Sequence, residues 1–282
     1  VMVFWPPVAL LAAFITYGIL FQEQLGTFLT TMLYGMGNNF GWYFNLFSII
    51  SLFLALVIVI AKFGDIRIGG KDAKPDFKYF NWIAMSLCGG IGTGLLFWAM
   101  GEPIFHFATP PLGAGVEPFS RDAGIYAVAQ AMWDWSFIQY SMYSLCAVAF
   151  ALITYNLKKD YSFGTVINYA FGRKMPVLET VVHALTVFTL VGAVACSMGV
   201  GLMQIGAELH FTIGTPQSKL VWLLVAVVIG IIFILSCLSG IGTGLKKLST
   251  FTTLVFIGIL VYVAIFGSPV FVTKIGSEAV GY

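Results

Sequence analysis

The sequence predicts an all-α integral membrane protein that crosses the bilayer seven times. Three observations carry this. Of its 282 residues, 59% are hydrophobic and 9% charged, and the mean hydropathy is +0.94, outside the range of soluble domains. The apolar residues gather into runs of about 20, the length a helix needs to cross the hydrocarbon core. The basic residues lie between those runs and are biased to one side of the bilayer.

The runs fall near 4–22, 41–62, 80–105, 135–156, 179–203, 219–238 and 250–267. The first opens with Phe4-Trp5-Pro6-Pro7, aromatics suited to the interface and prolines suited to a first helical turn. It has neither the charged n-region nor the cleavage site of a signal peptide. Residues 24–39 are too polar to span, but Leu25, Phe28, Leu29 and Leu33 recur at helical spacing, which predicts a separate helix lying along the interface. The next loop carries Lys62, Arg67, Lys71, Lys74 and Lys78, with Gly69-Gly70 and Lys74-Pro75 as turn signals. Alternating from there, Lys158, Lys159, Arg173, Lys174, Lys246 and Lys247 share its side, so 11 of the 14 basic residues are cytoplasmic and only Arg121, Lys219 and Lys274 are external. Seven helices then place the N-terminus inside the cell, in the plasma or inner membrane, and the C-terminus outside.

Residues 106–122, with Pro110-Pro111 and Gly113-Ala114-Gly115, read as a structured external connection. Residues 123–158 are apolar for longer than one span. They predict an interfacial helical piece entering a spanning helix near Trp135, with one long tilted helix as the other solution. The fifth run has a small-residue face at Gly192, Ala193, Cys196, Gly199 and Gly201, which predicts tight packing.

Several functions are poorly supported by the residues. A net charge of +2 with dispersed basic residues argues against nucleic acid. Cys88, Cys146, Cys196 and Cys237 all sit inside apolar runs and read as small buried residues, neither disulfides nor zinc ligands. His106, His183 and His210 have no metal-binding spacing, and no nucleophile with its base or phosphate loop entering a helix is apparent, so the chain is not read as an enzyme. Glu102 and Asp134 are close enough to the outer interface to be structural.

Two stretches could hold a ligand. Cys88-Gly89-Gly90-Ile91-Gly92-Thr93-Gly94-Leu95 places four glycines in mid-membrane, where each costs a helix about 1 kcal/mol against alanine. Unwinding there would free carbonyls for a cation, while the four-residue spacing of Gly90 and Gly94 suits close helix packing, which the stretch by itself favours. The same letters recur from Gly240 to Leu245, but Lys246-Lys247 follow at once, which marks that copy as a helix stop at the cytoplasmic surface. The second stretch is Trp133 to Tyr143. On one helix Trp135, Tyr140 and Tyr143 fall within an arc of about 140° and could form an aromatic wall that attracts a quaternary ammonium. An interfacial aromatic belt explains Trp133 and competes evenly for Trp135.

The segments Ile91 to Pro103 and Trp135 to Tyr143, with the loop Gly69 to Phe77, resemble the betaine/carnitine/choline transporter family, and the similarity extends over nearly the whole chain. The resemblance implies an inverted-repeat carrier of the amino-acid/sodium symporter type, with two peripheral helices and two five-helix repeats. Residues 1–78 would hold the peripheral helices, the interfacial helix and the cytoplasmic loop, and 79–282 the first repeat. The second repeat is absent from this chain, and transport by this half alone is not expected. The implied function is sodium symport, by alternating access, of a small methylated ammonium osmolyte such as glycine betaine, carnitine, choline or trimethylamine. The alternative is a non-transporting membrane scaffold or partner subunit.

By resemblance, Trp135, Tyr140 and Tyr143 line the substrate box together with Gly89, Gly90, Gly92 and Gly94, and carbonyls around Cys88 and Ile91 hold the coupling sodium. Position 140 is more often tryptophan in that family, so Tyr140 keeps a π-face and adds a hydroxyl. Gly94 resembles the sodium-coupled members. Leu190 and Val194 stand where hydroxyl residues would serve a second sodium, and Thr93 departs from the commoner glycine pattern. No organic cofactor is implied, and a homotrimer is.

Overall fold

The computed structural model describes residues 4–282, with residues 91–96 described by their backbone only. Among the described residues there is no strand. Ten α-helices follow one another: α1 (Trp5–Leu20), α2 (Gln22–Ile60), α3 (Tyr79–Ala108), α4 (Arg121–Asp134), α5 (Phe137–Ala151), α6 (Phe163–Ala170), α7 (Pro176–Ile213), α8 (Lys219–Leu238), α9 (Lys246–Phe266) and α10 (Pro269–Val280). Five helical segments among the described residues are long and apolar enough to cross a membrane: Gln22–Ile60, Arg121–Asn156, Pro176–Ile213, Lys219–Leu238 and Ile241–Phe266. The other two expected spans are helical as well, α1 with 16 residues and α3 with 30. The protein is therefore a multi-spanning helical membrane protein.

Two features differ from expectation at the N-terminal side. The separate interfacial helix over 24–39 does not exist, because α2 runs unbroken for 39 residues. No proline interrupts it, and its glycines at 26, 35, 37 and 41 are tolerated in a helix. The break falls instead at Phe21, which leaves helical geometry with φ −133° and ψ 54°.

Further along, the expected break near Trp135 is present. Trp135 and Ser136 form a two-residue turn between α4 and α5. The external connection is structured as expected, with a 3-10 turn at Leu112–Ala114 and the Phe119 N–H donating to the Phe107 carbonyl at 3.1 Å. The duplicate glycine motif acts as a stop: Gly240 has φ +78°, a π-helical turn covers Ile241–Leu245, and α9 begins at Lys246. The left-handed φ explains why glycine stands at 240.

By contacts the chain forms two compact units. One takes in the chain up to Lys74 together with Trp133–Val194; the other takes in Pro75–Met132 and Ala195–Tyr282. In the first unit α2 lies along α5, with Ser51 buried between neighbours. An aromatic cluster then ties the end of α5 to α6, Phe150 lying 4.7 Å from Tyr161 and 4.6 Å from Phe163 between ring centroids. Asn168 on α6 donates to Glu179 Oε2 on α7 at 2.7 Å, while its own oxygen accepts from the Met175 N–H at 2.9 Å.

In the second unit α3 packs on α9 through small residues. Ala84 is wholly buried, and Ser249 and Thr253 are 3% exposed. Asn81 donates to the Thr250 hydroxyl at 3.0 Å. α10 is tied to the start of α4 by Arg121, which donates to both oxygens of Glu278 at 2.6 and 2.7 Å. Such a bidentate pair is geometrically specific.

Most large apolar side chains, among them Ile49, Phe53 and Ile232, point outward, as suits lipid as solvent. The cysteines follow that rule: Cys146, Cys196 and Cys237 are exposed on helix surfaces and only Cys88 is half-buried, so the expectation of four buried cysteines is corrected. The reason is that an apolar run here marks contact with lipid, which does not require burial in protein. The small face of α7 is also not packed at Gly192 or Gly199, where a β-carbon would meet nothing within 4 Å among the described residues. Tight packing falls lower, at Gly206, where a β-carbon would lie 2.6 Å from Trp222 Nε1 of α8. Gly206→Val is expected to destabilise the full-length protein by about 1–3 kcal/mol through overpacking, read as a lower midpoint in a detergent thermal melt; an unchanged midpoint would contradict this contact.

Candidate functional site

The aromatic stretch is set up by the turn before α5. Ser136 leaves helical geometry, with φ −105° and ψ −143°, and its hydroxyl donates to the Trp133 carbonyl at 3.0 Å, closing the end of α4. The Tyr140 N–H then donates to the Ser136 carbonyl at 3.4 Å and α5 proceeds. Trp135 is thus presented from a turn and not from the helix, so the single-helix arc does not apply to it.

Tyr140 and Tyr143 do come together: their ring centroids are 6.2 Å apart and the planes are inclined by 39°. Tyr140 is half-buried and lines a cavity of about 370 Å³ with Leu52, Leu56, Ser141 and Ser144, between α2 and α5. Tyr143 is 57% exposed and presents its ring outward. The hydroxyls beside them are occupied locally, Ser141 donating to the Ile138 carbonyl at 2.6 Å and Ser144 to the Tyr140 carbonyl at 2.7 Å. What remains for a ligand is aromatic surface, whose negative face attracts a cation without an anionic partner.

The glycine stretch lies in the other unit, on α3. The backbone is helical across Cys88, Gly89 and Gly90, and α3 has bounds of Tyr79–Ala108, so the expected unwinding is absent from this conformation. A continuous helix engages its carbonyls four residues on, which leaves none free for a cation at Cys88. Of the expected site residues Ile91, Gly92 and Gly94 only the backbone is described, and their surroundings lie outside the described residues. Cys88 turns its thiol to α9, donating to the Ser249 carbonyl at 3.5 Å and meeting the Thr253 hydroxyl at 3.6 Å. Gly89 is exposed, with nothing within 4 Å of where a β-carbon would stand. The glycines on α3 and the aromatics on α5 therefore belong to separate units.

Sequence reasoning missed the polar clamps. Asn81 with Thr250, Asn168 with Glu179 and Arg121 with Glu278 hold helices together within a unit, and no spacing in the sequence pairs them. An asparagine near the end of an apolar run was the one available signal, because a buried amide must find a partner. Among the histidines, His106 approaches Glu102 at 3.9 Å and the Tyr126 ring at 6.1 Å, while His183 approaches Glu179 at 3.8 Å.

The family description of BCCT, the betaine/carnitine/choline family transporters, matches residues 2–282. The chain belongs to that family. A probable glycine betaine transporter of Desulfitobacterium hafniense (strain Y51) is 26% identical over 275 residues, covering 97% of this chain and 55% of the relative. The ectoine/hydroxyectoine transporter of Virgibacillus pantothenticus is 28% identical over 271 residues, with 94% and 54% covered. The glycine betaine transporter OpuD of Bacillus subtilis (strain 168) is 29% identical over 286 residues, with 99% and 54% covered. The chain spans about half the length of the curated relatives it matches. The relatives' names describe transport, a non-enzymatic role.

Proposed function

We propose that a carrier of the relatives' length containing these residues is a sodium symporter for a small methylated ammonium osmolyte, working by alternating access in the cell membrane with its N-terminus cytoplasmic. In it, residues 1–78 supply the peripheral helices and 79–282 the first five-helix repeat, and three copies assemble. The observation that supports the substrate class most directly is the family match together with the paired Tyr140 and Tyr143 rings, a surface suited to a quaternary ammonium. The basic residues between the spans support the orientation.

Trp135, Tyr140 and Tyr143 contact the ammonium group, and Gly89, Gly90, Gly92 and Gly94 let the substrate approach α3. Sodium binds to carbonyls around Cys88 and Ile91, which requires α3 to open there in a second conformation, at the cost of the helical bonds it makes in this one. Uptake of labelled glycine betaine, choline, carnitine and ectoine by the full-length protein in proteoliposomes tests this. Saturable uptake of at least one methylated ammonium compound, lost when an imposed sodium gradient is removed, is the expected result. Equal uptake under a proton gradient without sodium would overturn the coupling ion, and absence of uptake for every methylated compound would overturn the substrate class.

A further inference from the structure

The loop between α2 and α3 is built as a fixed surface. Gly69 and Gly70 take left-handed φ values of +87° and +99°, which glycine alone accepts easily. Asn156, in the π-helical turn after α5, clamps the loop with both ends of its amide. Its oxygen accepts from the Gly69 N–H at 2.8 Å and its nitrogen donates to the Arg67 carbonyl at 3.0 Å. Arg67 Nη1 donates in turn to the Lys71 carbonyl at 2.7 Å.

These residues enclose an open cavity of about 450 Å³, lined by Asp65, Ile66, Arg67, Gly70, Lys71 and Asn156. Arg67 and Lys71 make no ion pair among the described residues. Lys62, Lys74, Lys158 and Lys159 flank the cavity in sequence, so six basic residues stand against Asp65, Asp72 and Asp160. Between the charges, Phe63, Ile66 and Ile68 are 65%, 48% and 48% exposed. The loop begins directly after Ile60, the end of α2, a helix long and apolar enough to cross a membrane.

We propose that this cavity binds the headgroup of an anionic phospholipid. The phosphodiester oxygens accept from the Arg67 N–H groups not committed to Lys71 and from the Lys71 ammonium, while Phe63, Ile66 and Ile68 sit among the glycerol and upper acyl chains. A guanidinium has five N–H donors, and one is used by the protein. Exposed apolar side chains interleaved with cations, a few residues from a spanning helix, favour lipid over a soluble acidic protein, whose recognition would not need them. Asn156 is a positioning residue: both its amide groups are spent on the loop. The orientation proposed above decides only which leaflet supplies the lipid, so binding can be tested independently of transport.

The test uses the full-length protein in detergent, titrated with short-chain phosphatidylglycerol or phosphatidylcholine and read by native mass spectrometry. Phosphatidylglycerol is expected to be retained in preference to phosphatidylcholine. Arg67→Gln with Lys71→Gln is expected to weaken phosphatidylglycerol about twentyfold, from about fivefold per charge near a surface. Arg67→Lys keeps the affinity within about threefold, and Asp65→Asn strengthens it about fivefold, by the same charge rule. Equal retention of the two lipids, or unchanged affinity in the double variant, overturns the proposal. Displacement of the lipid by millimolar inorganic phosphate also overturns it, since the cavity would then serve free anions. Should the double variant fail to fold, Asp65→Asn decides, an unchanged affinity there counting against the site.

Discussion

Tyr143→Leu in the full-length carrier is expected to raise the half-saturating concentration of a methylated ammonium substrate about tenfold to thirtyfold, the worth of one desolvated cation–π contact. Tyr143→Phe, which keeps the ring and removes only the hydroxyl, is expected to stay within about threefold by the same reasoning. The Tyr143 ring is exposed and lies beside Tyr140, at 6.2 Å between centroids, so it offers its face to a cation. Concentration-dependent uptake of the preferred substrate measures it. If leucine and phenylalanine behaved alike, the ring would not be the binding element. Loss of uptake in leucine with normal membrane insertion and no change in half-saturation would assign Tyr143 to the transport motion instead.

Gly164→Val is expected to release α6 from α7. A β-carbon at 164 would run into the Glu179 Cγ and lie 2.8 Å from His183 Nε2. Glu179 is held by the Asn168 amide at 2.7 Å, so its Cγ cannot move aside without loosening the hydrogen bond that ties α6 to α7. Overpacking of this kind costs about 1–3 kcal/mol. Its local reading is trypsin cleavage at Lys158, Lys159, Arg173 or Lys174, which border α6 and become more accessible when the corner opens. A cleavage rate equal to the parent's would show that the corner tolerates the side chain.

The parts of this fold that the sequence made legible are those where lipid sets the rule. The run expected at 219–238 coincides with α8, because a wholly apolar span ends where charge and glycine begin. The turn at Trp135 and the stop at Gly240 were legible for the same reason, as local changes in polarity or backbone freedom. The short helices α6 and α10 were not, since they lie outside the long apolar runs and are held by partners distant in sequence. Glu278 of α10, for example, finds Arg121 across 157 positions.

The site was legible to a lesser degree. Residue types predicted an aromatic surface, and Tyr140 and Tyr143 do meet, but helical periodicity could not foresee the turn that carries Trp135. Glycine content predicted an opening in α3. A helix tolerates glycines singly at about 1 kcal/mol each, and hydrophobic surroundings that lack water favour keeping every backbone bond made, so composition there signals capacity to open without fixing when it opens.

The length of α2 has a further consequence. At 1.5 Å per residue, its 39 residues extend for about 58 Å, nearly twice the hydrocarbon thickness of about 30 Å. Fitting all of it into the core would need a tilt of about 60°, far beyond the usual range of up to about 40°. Most of its polar residues, Gln22, Glu23, Gln24, Thr27, Thr30, Thr31, Asn38 and Asn39, fall in the N-terminal half, with Asn45, Ser48 and Ser51 beyond it, so the N-terminal half is the part better suited to extend past the hydrocarbon. A single continuous helix of this length therefore carries about half of itself beyond the hydrocarbon, and any load on that half is transmitted directly to the half that spans.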